Sequence, residues 1–525
     1  MVHIPKNKKK SKIKKWIHNV ASNRLLMCSI ALAIVIVVLP YFFPFLSIST
    51  LVRYIEHLKW TYLTSAKRPP PLRKDIRLIT DGVVSVQWNH SLPAQTVVRE
   101  IVQGGKPVLI RNGPAANWPL AKWDILAFLM GGQDIVMEGV RWQREPVFVL
   151  GREREKGGML GSPRDRPLLY INSTMASFLQ TVFNESQYYY WSGELSSLEA
   201  ALEMQATLPP PVPSDQPKRK HHAPLDWRSF KHIDSGLSDS IDLDDGDLWA
   251  PMIWLSHPGV VAQTHYDPQH NFLSQMQGNK RVILFPPSEE AMYLYPHIHR
   301  SYRQSQLHLE QGAHTPSGGP AIGGDASFPT IPSSGMEIIL QPGETLYIPP
   351  YWHHRVESLT MAVSVSVTSP AHLEALFAEI SWETVPFGMF SSKRTHKEVA
   401  VKLYLGLLFS DMLAAQVLGN MDMQAFSSHL YSSRYRPLFP PDELSATRGS
   451  FSCPSFPEEG SPLALTVQNS SRAFQQAAKK VSSMIQQVPA ERQLKREFMG
   501  DYVEELVRWA VGPRLTVYFI HDCLK

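Results

Sequence analysis

The segment MAVSVSVT at 361–368 alternates without a break, with Met361, Val363, Val365 and Val367 on one face. A strict period of two marks a β-strand with one apolar side and does not fit a helix. It closes a run, Trp249 to Val367, in which strand signals dominate. NFLSQMQ and KRVILF are separated by Gly278-Asn279, a two-residue turn signal, and MEIILQ and TLYIP flank Pro342-Gly343. Antiparallel strands joined by long loops imply a two-sheet barrel or jelly roll.

Around this run the pattern changes. KPVLIR at 106–111, DIVMEGV, PVFVL and YYYW at 188–191 read as strands, and AKWDILAFLM at 121–130 and MASFLQTVF at 175–183 as helices. Residues 207–246, proline-rich and basic and then acidic, read as a mobile insertion, and 311–335 as a Gly/Pro/Ser loop. The acidic part lacks the spacing of an EF-hand calcium loop. After Pro370, residues 371–381, 396–418, 466–487 and 490–511 read as helices. The domain reading is therefore 95–370 for the barrel domain, 48–94 for a stem and entry segment, and 371–525 for a C-terminal helical region.

The N-terminus carries a different signal. From Leu25 to Val52 there is no charged residue, long enough for a helix across ~30 Å of hydrocarbon. A basic tail, 1–24, precedes it. A transmembrane signal-anchor over 25–47 is expected, and the Lys/Arg bias puts everything after it in the lumen of the endoplasmic reticulum or Golgi, as a single-pass type II protein. The sequons at Asn89, Asn172, Asn184 and Asn469 agree with this. The eight basic residues of 1–24 exceed the whole chain's net charge of +5 and leave the remainder at −3. That removes any basic footprint for nucleic acid. Three cysteines exclude a disulfide scaffold and a Cys-only zinc framework.

His265-Tyr266-Asp267 places two metal-competent side chains at i and i+2, on one face of a strand. A third candidate lies in GETLYIPPYWHHRVES, where His353 and His354 follow Trp352. Two histidines and a carboxylate converging from two strands form the facial triad of non-haem iron(II) oxygenases. A zinc hydrolase is compatible with the same three ligands.

HYDPQHNFLSQMQGNKRVILFPPSE, LYPH, RQSQ and PGETLYIPPYWHHRVESL together resemble the JmjC/cupin-type 2-oxoglutarate oxygenases, nearest the factor-inhibiting hypoxia-inducible-factor asparaginyl hydroxylases. The strong resemblance covers about 250–368, and KPVLIRNGPAANWPLAKW extends it back to about 95. It implies a mainly β double-stranded β-helix, the cupin or jelly-roll JmjC barrel, with flanking helices. It also implies iron(II) held by His265, Asp267 and His354, with His353 a neighbour and not a ligand. Lys280 matches the lysine that takes the distal carboxylate of 2-oxoglutarate, and Asn271 a position beside cosubstrate and metal. Arg303 and Gln304 match a run that contacts the substrate peptide. The chain departs from the pattern at Ala262, where many members carry a Thr or Ser that also holds the cosubstrate. Thr264 would face the other way, so either Tyr188, Tyr189 or Tyr190 supplies the hydroxyl or cosubstrate binding is weaker.

The expected function is a membrane-anchored dioxygenase that hydroxylates a protein or peptide side chain with molecular oxygen, converting 2-oxoglutarate to succinate. A JmjC demethylase and a non-catalytic cupin scaffold are the alternatives. The C-terminal helices are expected to pair two subunits. VAVKLYLGLLFSDMLAAQVL, with Val399, Val401, Leu403, Leu405, Leu407, Leu408, Met412 and Leu413, has more apolar residues than one helix face needs. A self-contained helical cap is the competing account.

Overall fold

The computed structural model describes residues 68–118, 135–149, 169–181, 187–195, 230, 251–310, 330–449, 451–455 and 457–525. The helix expected at 121–130, the insertion 207–246 apart from Phe230, and most of 311–335 lie outside these. Strands β1 (Arg77–Ile79) and β2 (Val84–Gln87) precede helix α1 (Ala94–Gln103), whose Val97, Val98 and Ile101 are buried. β3 (Val108–Arg111), β4 (Val136–Gln143), β5 (Val147–Phe148) and β6 (Leu169–Thr174) lead to α2 (Met175–Gln180) and β7 (Tyr188–Glu194). Next come β8 (Met252–Ser256), β9 (Val261–His265), β10 (His270–Gln277) and β11 (Lys280–Phe285). β12 (Ser334–Leu340), β13 (Thr345–Ile348), β14 (His353–Ser358) and β15 (Ala362–Ser369) complete the strands.

They form two sheets, ordered β1-β12-β11-β14-β9-β5 and β2-β3-β13-β10-β15-β8-β7-β4-β6. The sheets face each other across a core of Leu109, Leu273, Val282, Leu284, Leu340, Leu346 and Ile348. A hydroxyl pair, Ser256 Oγ to Ser358 Oγ at 2.7 Å, also bridges them. Directly paired residues share a face of a sheet, so the ladders identify what points inward. On β15, Ser366 pairs with the inward Leu273, and Ser364 and Thr368 share its side. The valines picked out by the alternation therefore lie on the outer face, fully buried, while serines line the interior. The period was legible in the sequence; which face turns inward was not.

The turn at Gly278-Asn279 joins β10 to β11, as its composition suggests. Gly278 has φ +67°, and a Cβ there would fall 1.9 Å from the Met361 carbonyl oxygen and 2.5 Å from Thr360 Oγ1. The neighbouring Asn279 N–H already donates to that hydroxyl at 2.9 Å. Gly278→Ala thus combines an unfavourable backbone with a clash against main chain, and should cost about 2–3 kcal/mol or more. Chemical denaturation measures it; an unchanged midpoint would contradict this register.

The C-terminal region is α3 (His372–Trp382), α4 (Arg394–Ala414), α5 (Met423–Leu430), α6 (Pro441–Thr447), α7 (Pro462–Gln487), α8 (Arg492–Val511) and α9 (Pro513–Tyr518). These share one hydrophobic core with Ile283, Phe285, Tyr266 and Tyr351 of the barrel. Phe377 of α3 stacks on Phe498 of α8 at 4.3 Å, and Tyr404 of α4 bonds Tyr502 of α8, hydroxyl to hydroxyl, at 2.9 Å. The apolar surplus on α4 is largely consumed in this packing: Leu403 and Leu407 pack against the core, and Leu413 remains 37% exposed. A disulfide, Cys453–Cys523, ties the loop before α7 to the turn after α9 across a sequence separation of 70. The cysteine count left no reason to expect it.

The anchor expected over 25–47 and the tail before it lie outside the described residues. Among those described, no helix is long and apolar enough to cross a membrane. The reading of a type II membrane protein of the endoplasmic reticulum or Golgi with a luminal catalytic domain is corrected on this finding. It rested on the apolar segment, the Lys/Arg bias around it and the sequons.

Candidate metal centre

β9 ends at His265, so Asp267 lies just beyond the strand and not on it. Two backbone bonds hold the HYD segment extended: Tyr266 N–H donates to the Arg303 carbonyl at 3.1 Å, and Tyr351 N–H to the Asp267 carbonyl at 2.8 Å. Arg303 and Tyr351 have positive φ, 69° and 63°. Bulky residues rarely adopt that conformation, and its cost is borne where a site needs a particular backbone direction.

β14 pairs antiparallel with β9, His354 opposite His265 and Val356 opposite Ala262. Gln263 and Thr264 on β9 thus oppose the single Arg355 on β14, which is a β-bulge. In a regular strand, positions 262 and 265 face opposite ways; the bulge turns both inward, beside His354. The candidate ligand atoms of His265, Asp267 and His354 all lie within 4.8 Å of one another. His354 Nε2 is 3.7 Å from Asp267 Oδ2, and the two imidazole centroids are 4.2 Å apart.

Each histidine spends its other nitrogen on the backbone. His265 Nδ1 donates to the Gln263 carbonyl at 2.7 Å and His354 Nδ1 to the Trp352 carbonyl at 3.0 Å. With Nδ1 carrying the proton, each Nε2 presents a lone pair to the other two ligands. Burial, and the His265 imidazole beside it, push His354 down to about 4, so it is neutral and ligand-competent at pH 7. Asp267 is the solvent-facing member, 37% exposed. His353 points to the other side, fully buried edge-on to Tyr266 at 5.5 Å. Burial holds it near 3, a neutral packed imidazole.

Lys280 pairs with Ser358, two positions along β14 from Val356 and four from His354, and so shares their inner face. It is 3% exposed and faces no carboxylate among the described residues. Burial lowers its ammonium to about 7. A solvated turn lysine would show none of this. Asn271 lies opposite Ile348 on the inner face of the second sheet, and its Oδ1 is buried without a hydrogen-bond partner among the described residues. A confined cation with no anion and an orphan amide oxygen, with a two-imidazole, one-carboxylate donor set, fit an iron ion with a small dicarboxylate beside it.

Of the three tyrosines, Tyr190 points inward, stacked on Trp254 at 5.6 Å and edge-on to Phe148 at 5.7 Å. Tyr189 packs on the other side, against Trp142 and His257. Thr264 is buried, its Oγ1 unpartnered. Arg303 lies over the Tyr302 ring at 4.9 Å, and Gln304 forms a backbone bridge with His265. Ser305 and Gln306 serve the scaffold: Gln306 Nε2 donates to the carbonyls of Leu294 (2.9 Å) and Arg434 (2.7 Å). Arg434 in turn forks onto Asp501 and Glu504 of α8 at 2.6 and 2.9 Å. Sequence reasoning missed Gln263, whose Nε2 donates to the Ser305 and Leu307 carbonyls and fastens that run to β9. Its place two residues before the first histidine was the available signal. It also missed Gln269 on Glu374 of α3, which brings the helical region to the rim of the site.

The cupin-like domain family matches residues 93–369, just over half the chain. The chain belongs to this family. It is similar to lysine-specific demethylase JMJ30 of Arabidopsis thaliana, 32% identical over 284 residues that cover 54% of each chain. JmjC domain-containing protein D of Dictyostelium discoideum is 37% identical over 115 residues, 21% of this chain and 23% of that one. tRNA wybutosine-synthesizing protein 4 of Aspergillus oryzae is 29% identical over 247 residues, 45% of this chain and 21% of that one. The match thus spans about half or less of the length of these curated relatives. They establish a JmjC-type cupin-like chain; the finer placement beside the asparaginyl hydroxylases is not shown by them.

Proposed function

We propose that this cupin-like chain is an iron(II)- and 2-oxoglutarate-dependent dioxygenase that hydroxylates a protein side chain. The observation that carries the reading is the unpaired, buried Lys280 on the same inner face as two histidines whose free nitrogens converge with a carboxylate. His265, Asp267 and His354 would hold the metal, and Lys280 the distal carboxylate of the cosubstrate, with Asn271 beside it. When bound, the metal and cosubstrate supply oxidation of an unactivated C–H bond by molecular oxygen. The protein's own contribution is geometric. Backbone carbonyls fix both imidazoles in one tautomer, and the Tyr266 and Tyr351 amides fix the carboxylate's strand end. The inner serines and Tyr190 leave a polar, enclosed approach to Lys280. Tyr190 takes the place of the hydroxyl missing at Ala262. Arg303 and Gln304 line the substrate side of Asp267.

A lysine-demethylase reading uses the same residues and is favoured by the name of the JMJ30 relative. Hydroxylation of an N-methyl group leads on to release of formaldehyde, whereas a hydroxylated carbon is retained. The asparaginyl-hydroxylase branch and pairing of two copies through the C-terminal helices are further proposals drawn from the motif resemblance. The deciding experiment is oxygen-dependent formation of succinate from 2-oxoglutarate by purified protein with added iron(II). Succinate without formaldehyde on methylated peptides supports hydroxylation, and stoichiometric formaldehyde supports demethylation. No succinate above the metal-free control would leave a binding protein.

A further inference from the structure

Arg141 lies on the inner wall of the barrel, with no anionic partner among the described residues. It pairs with Tyr190 across β4 and β7, and Tyr190 pairs with Ser256 on β8. Ser256 reaches across the interior to Ser358, beside Lys280, so the face that carries Arg141 is the one that lines the site. The guanidinium sits over the Tyr190 ring at 5.5 Å. Its two terminal nitrogens both donate to Ser192 Oγ, at 3.2 Å each. That hydroxyl occupies the end of the fork. The lateral edge is left over, and there Nε is buried with no hydrogen-bond partner among the described residues.

A half-buried guanidinium held by one neutral hydroxyl and one ring face is only partly satisfied. Its free Nε edge is planar and presents parallel N–H donors, the shape that matches a carboxylate bidentately. We propose that Arg141 is a specificity-determining residue that receives a carboxylate of the substrate, so that the chain takes a peptide with an aspartate or glutamate at or beside the modified position. The inference rests on the dioxygenase reading above and names its substrate class. A phosphate of nucleic acid is the less suitable anion. One arginine inside a barrel, in a chain with a net −3 beyond residue 24, makes no track for a polyanion.

The probes are two resin-bound degenerate heptapeptide pools, one with aspartate fixed at the centre and one with asparagine. A third resin carries bulk tRNA. Fluorescently labelled full chain, loaded with manganese(II) and 2-oxoglutarate, is retained by each. The aspartate pool should retain at least about tenfold more protein than the asparagine pool, as expected for a charge-assisted bidentate pair. That preference should vanish in Arg141→Gln and shrink in Arg141→Lys, which keeps the charge and loses the fork. Arg141→Lys also covers the case in which Arg141→Gln does not fold. Equal retention by the two pools, retention by neither, stronger retention on tRNA, or a preference that survives both substitutions overturns the proposal. Binding of 2-oxoglutarate to the manganese-loaded chain is measured separately by calorimetry. Its absence overturns the dioxygenase reading itself, and its presence beside a failed peptide preference overturns only the role of Arg141.

Discussion

His354→Ala should empty the metal centre and reduce 2-oxoglutarate turnover by about a thousandfold or more, whereas His353→Ala should leave most of the metal in place. The two residues are neighbours in the chain and opposites in the fold. His354 faces His265 with its Nε2 free; His353 is packed against Tyr266 on the outer side of the same strand. His265→Ala and Asp267→Ala belong with His354→Ala. Metal content after purification in iron(II), and succinate formation, read the two properties separately. The His353 substitution has its own signature. Removing a fully buried ring leaves a cavity under the helical region and should cost about 2–4 kcal/mol of stability. A His353→Ala protein that loses metal while His354→Ala retains it would transfer the ligand role and overturn the register of β14.

Lys280→Met should weaken 2-oxoglutarate binding roughly a hundredfold or more, about 3 kcal/mol, because a buried carboxylate then meets no cation. The same substitution should stabilise the cosubstrate-free protein. Burial lowers the Lys280 pKa from 10.5 to about 7. A lysine whose folded pKa lies below its unfolded value penalises the folded state. The penalty is fully present below pH 7, fades as pH rises from 7 towards 10.5, and is gone above that. The stabilising effect of Lys280→Met should therefore be largest at or below neutral pH. Binding has a linked signature in the wild-type protein. Above pH 7 the dicarboxylate must draw a proton onto Lys280 as it binds. The apparent Kd should then rise about tenfold per pH unit until the pKa of the bound state is passed. Calorimetry in buffers of different ionisation enthalpy would detect that proton; a pH-independent Kd between 7 and 9 would exclude Lys280 from the anion site.

The candidate ligand cluster was legible because it is written in local spacing. HYD and the WHH run each carry their chemistry within a few residues, and Gly278-Asn279 announces the hairpin that delivers Lys280. What the sequence did not carry is long-range. The bulge that turns Ala262 and His265 to the same side exists only in the pairing of β9 with β14. The alternation in β15 gave the right period without saying that its serines, not its valines, face the interior. The surplus on α4 could not reveal its cover, since α7 and α8 come later in the chain and pack on it only in the folded state. DIVMEGV read simply as a strand ending before Arg141, so nothing marked Arg141 as different from any surface arginine. Cys453 and Cys523 meet because α7, α8 and α9 fold back between them, and no motif spans that distance.

The pairing of β9 with β14 also has a kinetic meaning. Four strands, β10 to β13, lie between them in the chain, together with the segment 311–329. No early, local hairpin can bring His354 to His265; both sheets must be laid down first. Contacts of such sequence separation form late, after loop-closure entropy has been overcome. A nascent or partly folded chain therefore holds HYD with only two of the three ligands, a weak site. Metal acquisition becomes a reporter of completed barrel closure. In a refolding experiment, iron or manganese uptake should lag behind the burial of tryptophan and coincide with the last phase to native structure.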